Sequence, residues 1–121
     1  MDSILVVEDE PLILELLTDA LEMHGYRVRA FESADLAWQF TQESGQPPPL
    51  LITDLRMPGR IDGLELTQRL RRSHAGVPIV IASGFHPAAS ELHSHNVRWL
   101  IKQLEIEQLH TICRKFAPLP Q

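Results

Sequence analysis

Cysteine is nearly absent: Cys113 stands alone among 121 residues. A lone thiol excludes an internal disulfide framework and a cysteine-built zinc site, and it predicts a reducing, cytoplasmic setting. Long apolar runs are missing too. None approaches the roughly 20 residues that span a bilayer, and Met1-Asp2-Ser3 lacks the basic start and apolar stretch of a signal peptide. No membrane association is expected. Basic charge is scarce: Lys and Arg total 11 against 16 Asp and Glu, a net charge of -5. Direct nucleic-acid binding needs clustered Lys and Arg on phosphates, so it is not expected. The one basic cluster, Arg69, Arg71 and Arg72, reads as a solvated helix face. No Gly-rich phosphate loop is present, which argues against a flavin-type cofactor site. What remains is 44% hydrophobic and 22% charged, a globular composition. The length predicts one domain over residues 1–121 with no separate output domain.

Two kinds of segment alternate along the chain. Ile4-Leu5-Val6-Val7 is a short apolar run, as for a strand buried on both faces. From Pro11 the apolar residues Leu12, Ile13, Leu16, Leu17, Ala20 and Leu21 recur at helical spacing, with Gly25 as a stop. Tyr26 to Phe31 alternates like a strand. Ser33 caps a helix from Ala34 to about Glu43, and the prolines 47–49 mark a loop. Leu50 to Thr53 and Pro78 to Ala82 are further buried strand runs, and Val97 to Ile101 is a last strand. Helices are predicted from Asp62-Gly63 to about Arg72, from Pro87 to His93, and through Ile106, Leu109, Ile112, Cys113 and Phe116. Strands joined by helices of this length pair in parallel through right-handed crossovers. The expected fold is therefore α/β, a doubly wound five-stranded parallel sheet.

Ligands of such a sheet bind beyond the carboxyl ends of its strands. The residues there are Glu8, Asp9 and Glu10 after the first strand, Asp54 after the third, Ser83 after the fourth and Lys102 after the fifth. Each is ordinary alone, as a helix-capping loop, a turn residue or a solvated lysine. Their convergence on one edge from four segments is not ordinary. Packed carboxylates repel and call for a cation or a shared proton. A hard oxygen-seeking ion such as Mg²⁺, which takes few carboxylates and keeps its waters, resolves this. His93 and His95 fit no metal-ligand spacing and read as surface residues, and Cys113 reads as core.

With Ile4 to Pro11, Leu51 to Gly59, Asp62-Gly63, Pro78 to Gly84 and Lys102 in this order, the chain resembles a bacterial response-regulator receiver domain. The resemblance implies a flavodoxin-like (βα)5 sheet of strand order 2-1-3-4-5. It implies that Asp54 is the phosphoacceptor, served by a histidine kinase or histidine phosphotransfer protein. Glu8, Asp9, Asp54 and the backbone carbonyl of Arg56 would hold Mg²⁺. Ser83 would hydrogen-bond the phosphoryl group and Lys102 would pair with it, while Ser83 and Trp99 would form the switch. Such a module is not an enzyme beyond assisting its own phosphorylation and hydrolysis, and it signals by contact with a downstream protein. Dimerisation through the last helices and strands is common in the family, and the sequence leaves it open.

Four features depart from the family pattern. Gln103 stands where a cis-linked proline is usual; a cis bond before a non-proline costs about 2.5–4 kcal/mol, so a trans bond is expected. The stretch between Ser83 and Lys102 is short by roughly one helical turn, which falls in the helix near Pro87 to His95. Trp99 replaces the commoner Tyr or Phe. Arg60 or Ile61 is an extra residue between Met57 and Gly63. The bulky residues at the two lifetime-tuning positions, Arg56 and Phe85, predict slow loss of the phosphoryl group. The alternative reading is a receiver-like interaction module whose switching has decayed. A metal-dependent hydrolase lacks a substrate pocket in this pattern.

Overall fold

The computed structural model describes residues 2–55, 57–83 and 97–101, with 82, 83 and 97–101 described as backbone. The chain runs β1 (Ile4–Val7), α1 (Pro11–Met23), β2 (Val28–Phe31), α2 (Ala34–Ser44), β3 (Leu51–Asp54), α3 (Gly63–Ser73), β4 (Ile79–Ser83) and β5 (Val97–Ile101). The strands form one sheet of order β2-β1-β3-β4-β5, every pair parallel. The expected doubly wound sheet and its strand order are thus found. The two last helices of the sequence reading, from Pro87 and from Ile106, lie outside the described residues.

β1, β3 and residues 79–81 of β4 are buried on both faces because their side chains alternate between two apolar layers. Leu5, Val7, Leu51, Ile79 and Ile81 pack with Ala34 and Ala37 of α2 and Leu66 and Leu70 of α3. Ile4, Val6, Ile52 and Val80 pack instead with Leu14 and Leu21 of α1. Helices therefore cover both sides. Thr41, Thr53 and Thr67 are buried hydroxyls in this interior, and each donates to a nearby carbonyl, of Ala37 at 2.9 Å, Asp54 at 2.8 Å and Gly63 at 2.8 Å. A buried hydroxyl left without such an acceptor would cost about 1–3 kcal/mol.

Local signals set the helix ends. Pro11 opens α1 at a position whose N–H has no intrahelical partner. Ser33 caps α2, its Oγ accepting from the Leu36 N–H at 3.2 Å. Asp62 does the same for α3 through Glu65 N–H at 3.0 Å. The structure corrects the sequence reading in three respects. β2 starts at Val28, with Tyr26 buried before it. Asp54 and Ser83 are the last residues of β3 and β4 rather than the first residues after them. The third concerns α1: its buried line is Leu14, Ala20 and Leu21 with Leu17 packed alongside, while Leu12 and Leu16 are 80% and 58% exposed.

Candidate functional site

The sheet order reverses between β1 and β3: β1 carries β2 on one side and β3 on the other. Crossovers leaving β1 and β3 depart to opposite faces, which opens a crevice beyond their carboxyl ends. Three carboxylates meet there. Glu8 follows the last residue of β1, and its N–H donates to the Phe31 carbonyl at 3.0 Å, so the β1–β2 ladder continues to the site's edge. Its side chain is 2% exposed, and its Oε2 accepts from the Asp9 N–H at 2.9 Å. This bond turns the chain so that Asp9 stands half-buried just ahead of α1. Asp54 ends β3 and retains 8% exposure. Its Oδ1 accepts from the Leu55 N–H at 2.7 Å, which sets the carboxylate's rotamer. One ligand oxygen from each of Glu8, Asp9 and Asp54 falls within 4.8 Å of the others.

The floor under Asp54 depends on Gly63. As the first residue of α3, it lies against the end of β3, where the Leu64 N–H donates to the Leu55 carbonyl at 3.3 Å. A Cβ on Gly63 would overlap the Asp54 carbonyl oxygen, 2.7 Å from the carbonyl carbon and 2.9 Å from Thr53 Oγ1. Only glycine permits this approach. Asp62-Gly63 thus has two physical roles, a helix cap and a close backbone contact.

The donor set suits Mg²⁺. It is all oxygen and anionic, drawn from two strand ends, with Asp9 half-buried and so reachable by water. Such a site has the chemistry to neutralise an incoming phosphoryl group beside the Asp54 carboxylate. Among the described residues, the structure therefore brings together three of the carboxylates singled out in the sequence. Ser83 is placed by its backbone alone: Asp54 pairs with Ala82, so Ser83 is one residue further along the adjacent strand, opposite Ile101. Trp99 lies in register with Ile81 on β5. Arg56, Phe85, Lys102 and Gln103 lie outside the described residues. The sequence reading missed Asp35, whose Oδ2 accepts the Arg60 N–H at 3.0 Å from the first turn of α2.

A family model of the response regulator receiver domain matches residues 4–114. The response regulator receiver protein CpdR of Brucella abortus is 36% identical over 89 residues, 74% of this chain and 72% of CpdR. The nitrogen assimilation regulatory protein NtrX of Azorhizobium caulinodans is 40% identical over 83 residues, 68% of this chain. The chain spans 18% of NtrX, and 33% and 32% of the regulators AruR of Pseudomonas aeruginosa and GtcR of Aneurinibacillus migulanus. Among solved structures, the response regulator protein TrrA of Thermotoga maritima in complex with Mg²⁺-BeF superposes with a TM-score of 0.80 at 30% identity, over 96% of this chain and 99% of that one.

Proposed function

The chain belongs to the response regulator receiver domain family, the domain of two-component signalling, and from that premise we propose that it accepts a phosphoryl group on Asp54 with the help of Mg²⁺. The observation that carries this reading is the meeting of Glu8, Asp9 and Asp54 within 4.8 Å at the sheet's switch point. The donor is a phosphohistidine on a histidine kinase or phosphotransfer protein. An Asp54 carboxylate oxygen attacks phosphorus, the bond to the imidazole nitrogen breaks, and the imidazole departs. Phosphoryl transfer asks mainly for alignment and charge neutralisation, which a fixed carboxylate beside a cation site offers.

Glu8, Asp9, Asp54 and the Arg56 carbonyl would hold Mg²⁺, which supplies positive charge against the phosphoryl oxygens when bound. The residues of the chain do the rest. The Leu55 N–H holds Asp54 Oδ1 and so aims the carboxylate. The Asp9 N–H keeps Glu8 Oε2 turned into the site. Ser83 would hydrogen-bond the phosphoryl group and Lys102 would neutralise it; with Trp99, Ser83 would carry the change to the β4–β5 side of the sheet. The complex of TrrA with Mg²⁺-BeF lends support, as a related structure that takes that cation.

Incubation with a small-molecule phosphodonor and Mg²⁺, followed by intact mass, tests the reading. One phosphoryl gain is expected in the wild type, none in Asp54→Asn, and none with a chelator. A wild type that gains nothing, or an Asp54→Asn variant that gains as much, overturns it and leaves the decayed interaction module.

A further inference from the structure

The loop leaving the acceptor strand is anchored by the core at both ends and by a side chain at its tip. Met57 and Ile61 are both buried, in the cluster that holds Ala34 and Ala37 of α2. Pro58, Gly59 and Arg60 stand exposed between them. There the Arg60 N–H donates to Asp35 Oδ2 at 3.0 Å, joining residues 25 apart in the chain. Gly59 is pressed against the same carboxylate. Its φ of 129° is one that side-chain-bearing residues rarely adopt, and a Cβ would overlap Asp35 Oδ2 and come within 3.5 Å of its Cγ. Two separate features of the loop thus converge on one oxygen. The loop's other flank is open: a cleft of about 410 Å³ lies there between Arg60, Ile61 and the α3 residues Glu65, Gln68 and Arg69.

We propose that Asp35 is a positioning residue for the cation and phosphoryl site, holding the tip of the β3–α3 loop on α2 so that the backbone leaving Asp54 keeps its course. The inference rests on the Mg²⁺-assisted phosphoacceptor reading above. Residues 55–62 lead directly from Asp54 to the cap of α3, so Arg60 lies six residues along the chain from Asp54, beyond the buried Met57. Asp35 also has an ordinary role open to it. It lies in the first turn of α2, where a carboxylate is favoured by the helix macrodipole. The two roles separate by substitution. Asp35→Asn keeps an accepting oxygen in place and removes the charge. Asp35→Glu keeps the charge at the helix end and displaces the oxygen by a methylene. Asp35→Ala removes both.

The test is Mg²⁺ binding by calorimetric titration, amide exchange at Arg60, and phosphoryl uptake as a function of Mg²⁺ concentration. Loss of one hydrogen bond of this kind corresponds to about three- to tenfold in an equilibrium constant. Asp35→Ala and Asp35→Glu should bind Mg²⁺ more weakly by about that factor, exchange the Arg60 amide faster, and recover wild-type uptake at saturating Mg²⁺. Asp35→Asn should match the wild type in all three. Equal Mg²⁺ affinity in wild type and Asp35→Ala overturns the positioning role, as does an Asn variant as weak as Ala or a Glu variant as tight as wild type. A wild type that binds no Mg²⁺ overturns the parent reading as well, and the two failures are told apart by that measurement.

Discussion

At the scale of single residues, the site depends as much on a missing side chain as on charged ones. Gly63 lets the first turn of α3 rest on the Asp54 carbonyl, at a distance no Cβ tolerates. Gly63→Ala must push either α3 or the end of β3 aside. Overpacking of this kind costs about 1–3 kcal/mol, and here the displaced atoms belong to Asp54, the proposed acceptor. Gly76 is the internal control, because a Cβ there meets nothing within 4 Å. Denaturant unfolding should show Gly63→Ala destabilised by about that amount and Gly76→Ala close to wild type, with phosphoryl uptake falling in the first variant only. Equal uptake in both would show that the contact does not shape the acceptor. The residues that bear charge were legible in the sequence because each follows a buried strand run within one or two positions. The Asp35–Arg60 bond was not legible. Its partners are 25 residues apart, and nothing near Asp35 distinguishes it from any acidic residue in a helix's first turn.

At the scale of elements, helical spacing found α1 but chose too wide a stripe. Leu12, Ile13, Leu16, Leu17, Ala20 and Leu21 were read as one apolar face. The sheet takes a narrower line through Leu14, which that reading left out, with Leu17 and Leu21, and leaves Leu12 and Leu16 in solvent. Periodicity gives the direction of an apolar face, whereas its centre depends on how the helix is rolled on the sheet. Leu14→Ala should therefore cost about 2–5 kcal/mol, as buried leucines do. Leu12→Ser and Leu16→Ser should stay within about 0.5 kcal/mol of wild type. Urea midpoints compare the three directly, and a large loss in Leu12→Ser would restore the wider stripe. The basic cluster on α3 was read from its charge as a solvated face, which describes Arg72 better than Arg69 or Arg71. Arg69 and Arg72 pair with Glu65 at 3.0 and 3.4 Å, and the Arg69 guanidinium lies 5.6 Å from the Trp38 ring centre. These surface pairs add little to stability. Arg72 is exposed, whereas Arg69 and Arg71 are half-buried and Arg69 reaches Trp38 of α2.

At the scale of the whole molecule, the fold was legible because strand and helix periods alternate, and the crossover rule leaves few ways to assemble them. Strand order then decides where function sits. With β1 and β3 adjacent at the centre, Glu8, Asp9 and Asp54 are forced to one point by topology, although Asp54 lies 46 and 45 positions along the sequence from Glu8 and Asp9. The same convergence links cation binding to folding. The three oxygens lie within 4.8 Å only when β1 and β3 are paired, so a divalent ion held by them would bind the folded chain and find no such set in the unfolded one. Mass action then requires that Mg²⁺ stabilise the protein, by about 2.7 kcal/mol at a concentration 100 times the dissociation constant. Thermal unfolding should show Tm rising with Mg²⁺ and returning on chelation. Monovalent salt at matched ionic strength should not reproduce the rise, since screening acts on all charges and does not need the three oxygens together. Glu8→Gln and Asp54→Asn should each blunt the response, because each removes one anionic oxygen donor from the set. A Tm that moves equally with Mg²⁺ and with monovalent salt would mean that the carboxylates share a place without forming a site.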